Sequence, residues 1–230
     1  MKEQHTPKVL IWDLPLRLFH WLLVFAIVAQ WVTAEFGYMD WHFKIGYVTL
    51  GLVIFRLVWG VVGPRHARFS QFIRPPKDIF NYAKALFSSQ NKEYVGHNPL
   101  GGLIVPIVIM IVGLQAVTGL FSTDDVLASG PYLSSVSAET QDLLDGLHHD
   151  TYNVILGIAG LHIIAIFWYQ FKRKIYLIGA MFHGKKALNP ENKITSSRWI
   201  IALIVAVLIA GFLYWLIVVA APVPEEEFYF

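Results

Sequence analysis

The sequence predicts an all-α membrane protein: a bundle of four transmembrane helices followed by a fifth, C-terminal transmembrane helix. Of the 230 residues, 56% are hydrophobic and only 15% are charged, whereas about 25% of a soluble domain is charged. The hydrophobic residues occur in runs that are long enough to cross about 30 Å of hydrocarbon. Lysine and arginine crowd some of the connections between these runs and are absent from another, which is typical of a multi-pass membrane protein.

The runs predict five spans, at 14–34, 43–62, 99–121, 148–171 and 199–220. The first is interrupted by Pro15 and Arg17 and is not followed by a small-residue cleavage site, so we do not interpret it as a cleavable signal. The fifth has no histidine or charged residue after Arg198, and we interpret it as a packing helix. The chain is therefore divided into a four-helix domain at 1–187 and a fifth helix with an acidic tail at 188–230.

The connections carry their own helix signals. Pro75-Pro76 interrupts the chain after the second span, and 77–87 reads as an amphipathic helix able to lie in the membrane interface. Asn98-Pro99 is typical of the N-cap and first residue of a helix. The polar, acidic segment 129–146 has room for one short helix, and a second interfacial helix is predicted at 176–182.

The charges predict the orientation of the chain. Lysine and arginine are concentrated before the first span, between the second and third, and between the fourth and fifth. The connection from Ser122 to Leu147 has neither and holds five acidic residues, and the tail ends in Glu225-Glu226-Glu227. The positive-inside rule therefore places the N-terminus in the cytoplasm and the C-terminus in the periplasm. We expect a multi-pass protein of the bacterial inner membrane, with no nucleic-acid partner.

Four histidines lie inside the predicted spans and can be paired by depth. His148 and His162 are fourteen residues apart, so they lie on nearly the same helix face (about 40° off) and roughly 21 Å apart along the axis. His20 lies in the inner half of its span, as does His162, whereas His42 and His148 lie at the outer starts of theirs. A ring nitrogen in hydrocarbon is costly unless it has a partner.

Paired imidazoles at two depths indicate two metal centres. The chain has no cysteine, so any metal must be held by nitrogen or oxygen. Two imidazoles from facing helices are the axial ligands of a bis-histidine haem, and a helix bundle is a known place to hold one. We therefore predict two non-covalent b-type haems, with His20 and His162 as the axial ligands of the inner iron and His42 and His148 as those of the outer iron.

Small and basic neighbours fit a large flat ligand. A glycine four residues after His42 and an alanine three residues before His162 leave room beside the ligand face. Arg56, fourteen residues after His42, projects from the same face at the inner level, where a haem propionate would supply the anion that a buried arginine needs. The cofactor-binding candidates are Gly46, Ala159 and Arg56, with Arg17 and Arg65 as alternatives to Arg56.

A histidine inside a span can also have a purely structural role. A single intramembrane histidine is more often a hydrogen-bonding group between helices than a ligand. His149 competes with His148, although its spacing of thirteen from His162 turns it about 140° away. Zinc or copper could also use histidines, but buried pairs about 20 Å apart without carboxylates or thiolates nearby are not typical of either metal.

Six segments of unusual sequence occur in order along about residues 9–187. They are WDLPLRLFHW at 12–21, HFKIGY at 42–47, FRLVWG at 55–60, GPRHARF at 63–69, HNPLGG at 97–102 and LH at 161–162. Together they resemble the prokaryotic cytochrome b561 family, which includes the membrane cytochrome b subunits of nickel–iron hydrogenases. The resemblance implies a dihaem b cytochrome that passes electrons between a quinone pool and a redox partner. In that family the paired histidine of the fourth span is usually followed by an acidic residue, whereas here His149 follows His148.

The start of the third span is a candidate quinone site. Membrane cytochromes similar to this chain bind quinone beside the inner haem through an asparagine at the mouth of a span. His97, Asn98 and Gly101 occupy such a place. A helix cap with tight packing would satisfy the same residues.

We expect an electron-transfer protein, with no catalytic residues assigned, that connects quinone near the cytoplasmic side with a periplasmic redox protein. That partner would be a cytochrome c or a hydrogenase-type enzyme. A stand-alone superoxide:quinone oxidoreductase is one alternative, but it would need a cationic outer funnel, and Lys44 is the only cation near the acidic outer face. The other alternative, a non-redox membrane anchor, would bind no haem.

Overall fold

The computed structural model describes residues 7–86, 94–124 and 128–222. Within these ranges the chain forms eight α-helices and one two-stranded ribbon. The helices are α1 (Leu14–Glu35), α2 (Met39–Val62), α3 (Phe69–Phe72), α4 (Pro76–Ala85), α5 (Pro99–Thr118), α6 (Ala138–Phe167), α7 (Leu177–His183) and α8 (Trp199–Tyr214). The strands are β1 (Lys8–Leu10) and β2 (Lys185–Ala187).

Five of these helices are long and apolar enough to cross a membrane, which confirms the predicted all-α, five-span class. They are α1, α2, α5, α6 and α8, and α6 and α8 each continue into a π-helical turn, at Trp168–Lys172 and Trp215–Val219. Large hydrophobic side chains are exposed along all five, as expected of surfaces that face lipid. The chain is a multi-pass membrane protein.

The fourth span begins much earlier than its apolar run. The prediction placed its start at 148, but one continuous helix runs from Ala138. Ser137 caps it by accepting a hydrogen bond from the backbone N–H of Thr140, and Glu139 lies in the first turn, where a negative charge favours the helix N-terminus. Segment 129–146 does contain one short helix, a 3₁₀ helix at Leu133–Ser135, whereas its acidic residues lie in the first turns of α6.

Helix α2 lies at the centre of the bundle. It packs against α1, α5 and α8, whereas α6 packs mainly against α5. Its partner α8 approaches closely at Gly51, where a Cβ would lie 2.9 Å from Leu213 Cδ1. The fifth helix thus packs directly on the bundle, as predicted for a packing helix.

The two ends of the first 187 residues meet in a ribbon that the sequence did not indicate. Strand β1 pairs antiparallel with β2, with Lys8 opposite Ala187. The carbonyl of Gly184 accepts the backbone N–H groups of Ile11 and Trp12 at 2.8 and 3.0 Å. Gly184 has φ +78°, and a Cβ there would lie 2.5 Å from the Trp12 carbonyl oxygen, so the turn requires glycine. The ribbon places the N-terminal segment and the connection before α8 on one side of the bundle.

The remaining predicted elements lie close to their expected positions. Helix α4 corresponds to the predicted interfacial helix at 77–87, whose last residue, Phe87, lies outside the described residues, and α7 corresponds to that at 176–182. Asn98 is the N-cap of α5, and its side chain accepts the Gly101 N–H at 2.7 Å. The acidic residues 225–227 also lie outside the described residues.

Candidate functional site

The inner histidine pair joins the first and fourth spans. His20 of α1 and His162 of α6 face each other with ring centroids 6.5 Å apart and an interplanar angle of 54°. Nδ1 of His20 is buried and has no hydrogen-bond partner among the described residues. The ring also meets Trp21 edge-on at 5.1 Å.

The outer pair joins the second and fourth spans. The ring centroids of His42 in α2 and His148 in α6 lie 6.2 Å apart, at an interplanar angle of 73°. Both rings line a largely apolar cavity of about 320 Å³, which Gly46 and Gly119 also line. His149 also lines this cavity, but its Nε2 lies 3.6 Å from an Asp145 carboxylate oxygen and its side chain is 78% exposed. His148, rather than its neighbour, therefore faces His42.

Both separations fit two imidazoles on one metal ion. Two metal–nitrogen bonds of about 2 Å, together with the distances inside the two rings, place the ring centres about 6 Å apart. No group of three or more His, Cys, Asp or Glu side chains comes together within the described ranges to hold a metal ion. The donor sets are thus pairs of nitrogens, which suits a haem iron that already has four ligands from its macrocycle.

The outer pair has hydrogen-bond partners that the sequence analysis missed. His42 Nδ1 lies 3.3 Å from Thr33 Oγ1 and 3.2 Å from the Gln30 carbonyl oxygen. On the other side, His148 Nδ1 lies 3.1 Å from Thr118 Oγ1. A repeated sequence, Q-x-V-T, places both threonines near the ends of their helices and could have identified them.

The two small residues predicted beside the ligands occupy different settings. Gly46 lines the outer cavity, and a Cβ there would lie 3.1 Å from Gln30 Nε2. Ala159 lies one turn before His162 in α6 and is half-buried.

The three predicted arginines differ sharply in burial. Arg56 is 1% exposed and stacks on the rings of Phe69 and Phe72, at 4.7 and 5.8 Å from their centroids. Its Nη1 and Nη2 have no hydrogen-bond partner in the part of the chain that the structure describes. Arg17 donates to the Phe182 carbonyl oxygen, and Arg65 is exposed. Arg56 is therefore the buried cation of the three, and its two terminal nitrogens remain available to an anion in addition to the Asp13 carboxylate, with which it interacts electrostatically.

The three quinone-site candidates lie at the inner mouth of α5. The His97 ring packs between Trp12 and Phe72, with centroids 4.9 and 4.5 Å away, and its buried Nδ1 has no partner among the described residues. Burial, together with the nearby Arg56 and other cations, lowers the pKa of His97 to about 3. The residue is therefore neutral near pH 7.

Asn98 serves two neighbours. Its oxygen caps α5 at Gly101, and its Nδ2 donates to the Tyr169 hydroxyl at 3.3 Å. That hydroxyl lies 2.6 Å from the Tyr82 hydroxyl. Burial and this hydrogen bond raise the pKa of Tyr82. Both tyrosines line a cavity of about 470 Å³, together with Arg74 and Arg173.

Comparison with known proteins agrees with this arrangement. The sequence pattern of the prokaryotic cytochrome b561 family matches residues 11–184, which include all four paired histidines. No solved structure matches the chain.

Curated relatives carry one recurring description, "Probable Ni/Fe-hydrogenase B-type cytochrome subunit". The Azotobacter vinelandii protein is 32% identical over 51% of this chain and 60% of its own length, and that of Azotobacter chroococcum mcd 1 is 29% identical over 57% and 66%. The chain thus spans less than two thirds of these two relatives. The Rhizobium leguminosarum bv. viciae protein is 26% identical over 80% of this chain and 91% of its own length.

Proposed function

This chain belongs to the prokaryotic cytochrome b561 family, whose members are b-type membrane cytochromes of electron transfer, and on that premise we propose that it carries two haems and moves electrons between the quinone pool and a periplasmic redox partner. The proposal rests on two pairs of facing histidines, whose ring centroids lie 6.5 Å apart in the inner pair and 6.2 Å apart in the outer pair. Their members on α6 are roughly 21 Å apart along the helix axis, so the two sites lie near opposite membrane surfaces. Haem b supplies reversible one-electron chemistry when bound.

The protein's own residues would position the two haems. His20 and His162 would be the axial ligands of the inner iron, and His42 and His148 those of the outer iron. Gly46 and Ala159 would leave room beside the rings. Among Arg17, Arg56 and Arg65, Arg56 is the best candidate to hold an inner propionate, because it is buried and its Nη1 and Nη2 have no hydrogen-bond partner among the described residues.

Quinone would bind at the inner mouth of α5. Asn98 would contribute an amide donor, with Gly101 providing close packing, and the cavity that Tyr82 and Tyr169 line adjoins this place. His97 would act as a neutral hydrogen-bonding group, because its pKa of about 3 leaves the imidazole without its second, acidic proton near neutral pH.

The periplasmic partner would dock on the acidic outer side. The connection between α5 and α6 and the first turns of α6 hold Asp124, Glu139 and Asp142 and no lysine or arginine. A basic partner surface would complement them. The relatives' descriptions favour a hydrogenase-type enzyme, and a cytochrome c is the second candidate. We further propose that the protein lies in the inner membrane with its N-terminus in the cytoplasm. Residues 1–187 would form the haem-binding part, and residues 188–230 the C-terminal part.

The haem-to-protein ratio of the detergent-purified protein tests the haem assignment. We expect two b haems per chain, and one in His162→Ala; His149→Ala is the matched control on α6 and should keep both. A full haem content in His162→Ala would contradict the inner pairing, and a wild-type protein without haem would favour the membrane anchor.

Stopped-flow reduction of the haems by a quinol tests the quinone assignment. Asn98→Ser keeps a capping oxygen for α5 but removes the amide donor, so we expect folded dihaem protein with slower reduction by quinol. Reduction by dithionite, which needs no quinone site, should be unchanged. Quinol kinetics equal to those of the wild type would exclude Asn98 from the site.

A further inference from the structure

A four-residue pattern, Gln-x-Val-Thr, occurs twice near the outer histidine pair. Gln30 to Thr33 lies near the end of α1, and Gln115 to Thr118 forms the end of α5. Both threonines are buried, at 8% and 0% exposure. Each meets a histidine on the helix that follows its own spanning helix in the chain.

The hydrogen bonds around Thr33 define which ring nitrogen of His42 carries hydrogen. The threonine hydroxyl has one proton, and it donates to carbonyl oxygens of its own helix, at 2.8 Å to Ala29 and 3.1 Å to Gln30. Toward His42 Nδ1 the hydroxyl can therefore only accept, and so can the Gln30 carbonyl oxygen. Nδ1 must donate, which leaves the lone pair on Nε2.

The same geometry recurs around Thr118. Its hydroxyl donates to the carbonyl oxygens of Leu114 and Gln115, both at 3.0 Å, and lies 3.1 Å from His148 Nδ1. His148 Nδ1 is thus a donor as well, so both outer rings present Nε2 as their free electron pair.

We propose that Thr33 and Thr118 are positioning residues of the outer haem, which hold His42 and His148 as Nδ1–H tautomers with Nε2 available to the iron. The inference rests on the proposed function. A hydrogen bond accepted from the far nitrogen of a ligating histidine makes it a stronger electron donor and fixes its orientation. A stronger donor stabilises ferric iron, so the two threonines lower the reduction potential of the outer haem. His20 Nδ1 has no such partner in the described structure, so this proposed ligand of the inner haem lacks a corresponding threonine.

Valine variants test this by removing the hydroxyl while keeping the shape. In redox titrations of purified holoprotein, Thr33→Val and Thr118→Val should each raise the midpoint potential of the same haem and leave the other unchanged. His42→Ala, which should lose the outer haem, identifies which potential that is. Thr49→Val is the matched control, because this buried hydroxyl donates to the Ile45 carbonyl at 2.8 Å and has no histidine partner within the described residues.

Serine variants keep the test decisive if valine causes loss of haem. Thr33→Ser and Thr118→Ser retain the hydroxyl, so they should restore both the haem and its potential, together with the wild-type ferric EPR signal. Serine variants that fail to do so would overturn the inference, as would valine variants with two haems at wild-type potentials. A wild-type protein with fewer than two haems would instead contradict the proposed function, so the two failures are distinguishable.

Discussion

Asp13 connects the beginning of α1 to the inner end of α2 through one carboxylate oxygen. Its Oδ1 accepts the Leu16 backbone N–H and the Trp59 indole N–H, both at 2.9 Å, and the residue is 1% exposed. Burial raises the pKa of Asp13, while these two hydrogen bonds oppose the rise. Segments 12–21 and 55–60, two of the six that resemble the cytochrome b561 family, contact each other here. Part of the sequence pattern therefore stabilises the helix pair instead of binding the cofactor.

The burial of a neutral His97 should make the folded protein measurably less stable in acid. Its folded pKa of about 3 lies below the ordinary value near 6.5, so below pH 6.5 the unfolded chain binds a proton that the folded chain does not. Stability contributed at neutral pH is therefore lost as the pH falls from about 6.5 towards 3. In His97→Gln, unfolding should take up about one proton fewer, so the thermal midpoint should fall less between pH 7 and pH 5.

The control for this prediction is His183→Gln, which removes an exposed histidine of α7 on the same side of the bundle. If the His97 variant lost stability in acid as steeply as the wild type and this control, burial of a neutral His97 would not contribute.

The four paired histidines could be identified from the sequence, but the residues that contact their rings could not. Depth along a helix follows from counting, so pairing by level was possible before any contact was known. The partners of Nδ1 depend on how α1 and α5 are rotated about their axes, which no count supplies. The repeated Q-x-V-T pattern was visible, but only the fold shows that both copies adjoin a histidine ring.

At the scale of elements, hydropathy found the spans and misjudged some of their ends. An apolar run marks where a helix enters hydrocarbon, whereas the helix itself begins at its cap, which for α6 is Ser137. The β1–β2 ribbon was missed for another reason: strands of three residues are too short for a periodic pattern. Its pairing joins distant parts of the chain and depends on the bundle that brings them together.

The contact between α3 and α5 predicts a strong effect of one methyl group. At Gly102 a Cβ would overlap the backbone carbonyl oxygen of Phe72, which cannot rotate away as a side chain could. We expect Gly102→Ala to destabilise the protein by about 1–3 kcal/mol, as overpacking does, and to lower the thermal midpoint in detergent.

The matched control is Gly211→Ala in α8, where a Cβ would meet nothing within 4 Å. Alanine there should be neutral or stabilising by about 0.5–1 kcal/mol, because it favours the helix more than glycine does. Equal midpoints for the two variants would show that α5 can move away from α3 at little cost.

At the scale of the whole molecule, α6 is the spanning helix that is least buried in the bundle, although it contributes to both histidine pairs. It has no buried residue, and it packs mainly against α5, yet it carries one member of each histidine pair. The partners of those two histidines lie on α1 and α2. If the pairs ligate haem as proposed, ligation would join α6 to the other half of the bundle, and cofactor binding would contribute to the fold.

The arrangement of the connections predicts the sidedness of the entire chain, which single cysteines can test because the sequence contains none. Ser70 lies between α2 and α5, Ser134 between α5 and α6, and Thr195 before α8, and all three are exposed. With a membrane-impermeant maleimide on spheroplasts, Ser134→Cys should be labelled at once, since its connection has no lysine or arginine. Ser70→Cys and Thr195→Cys should react only after permeabilisation. The opposite pattern would reverse the orientation. Labelling of Ser70→Cys and Ser134→Cys from one side would contradict the crossing by α5, the one span between them.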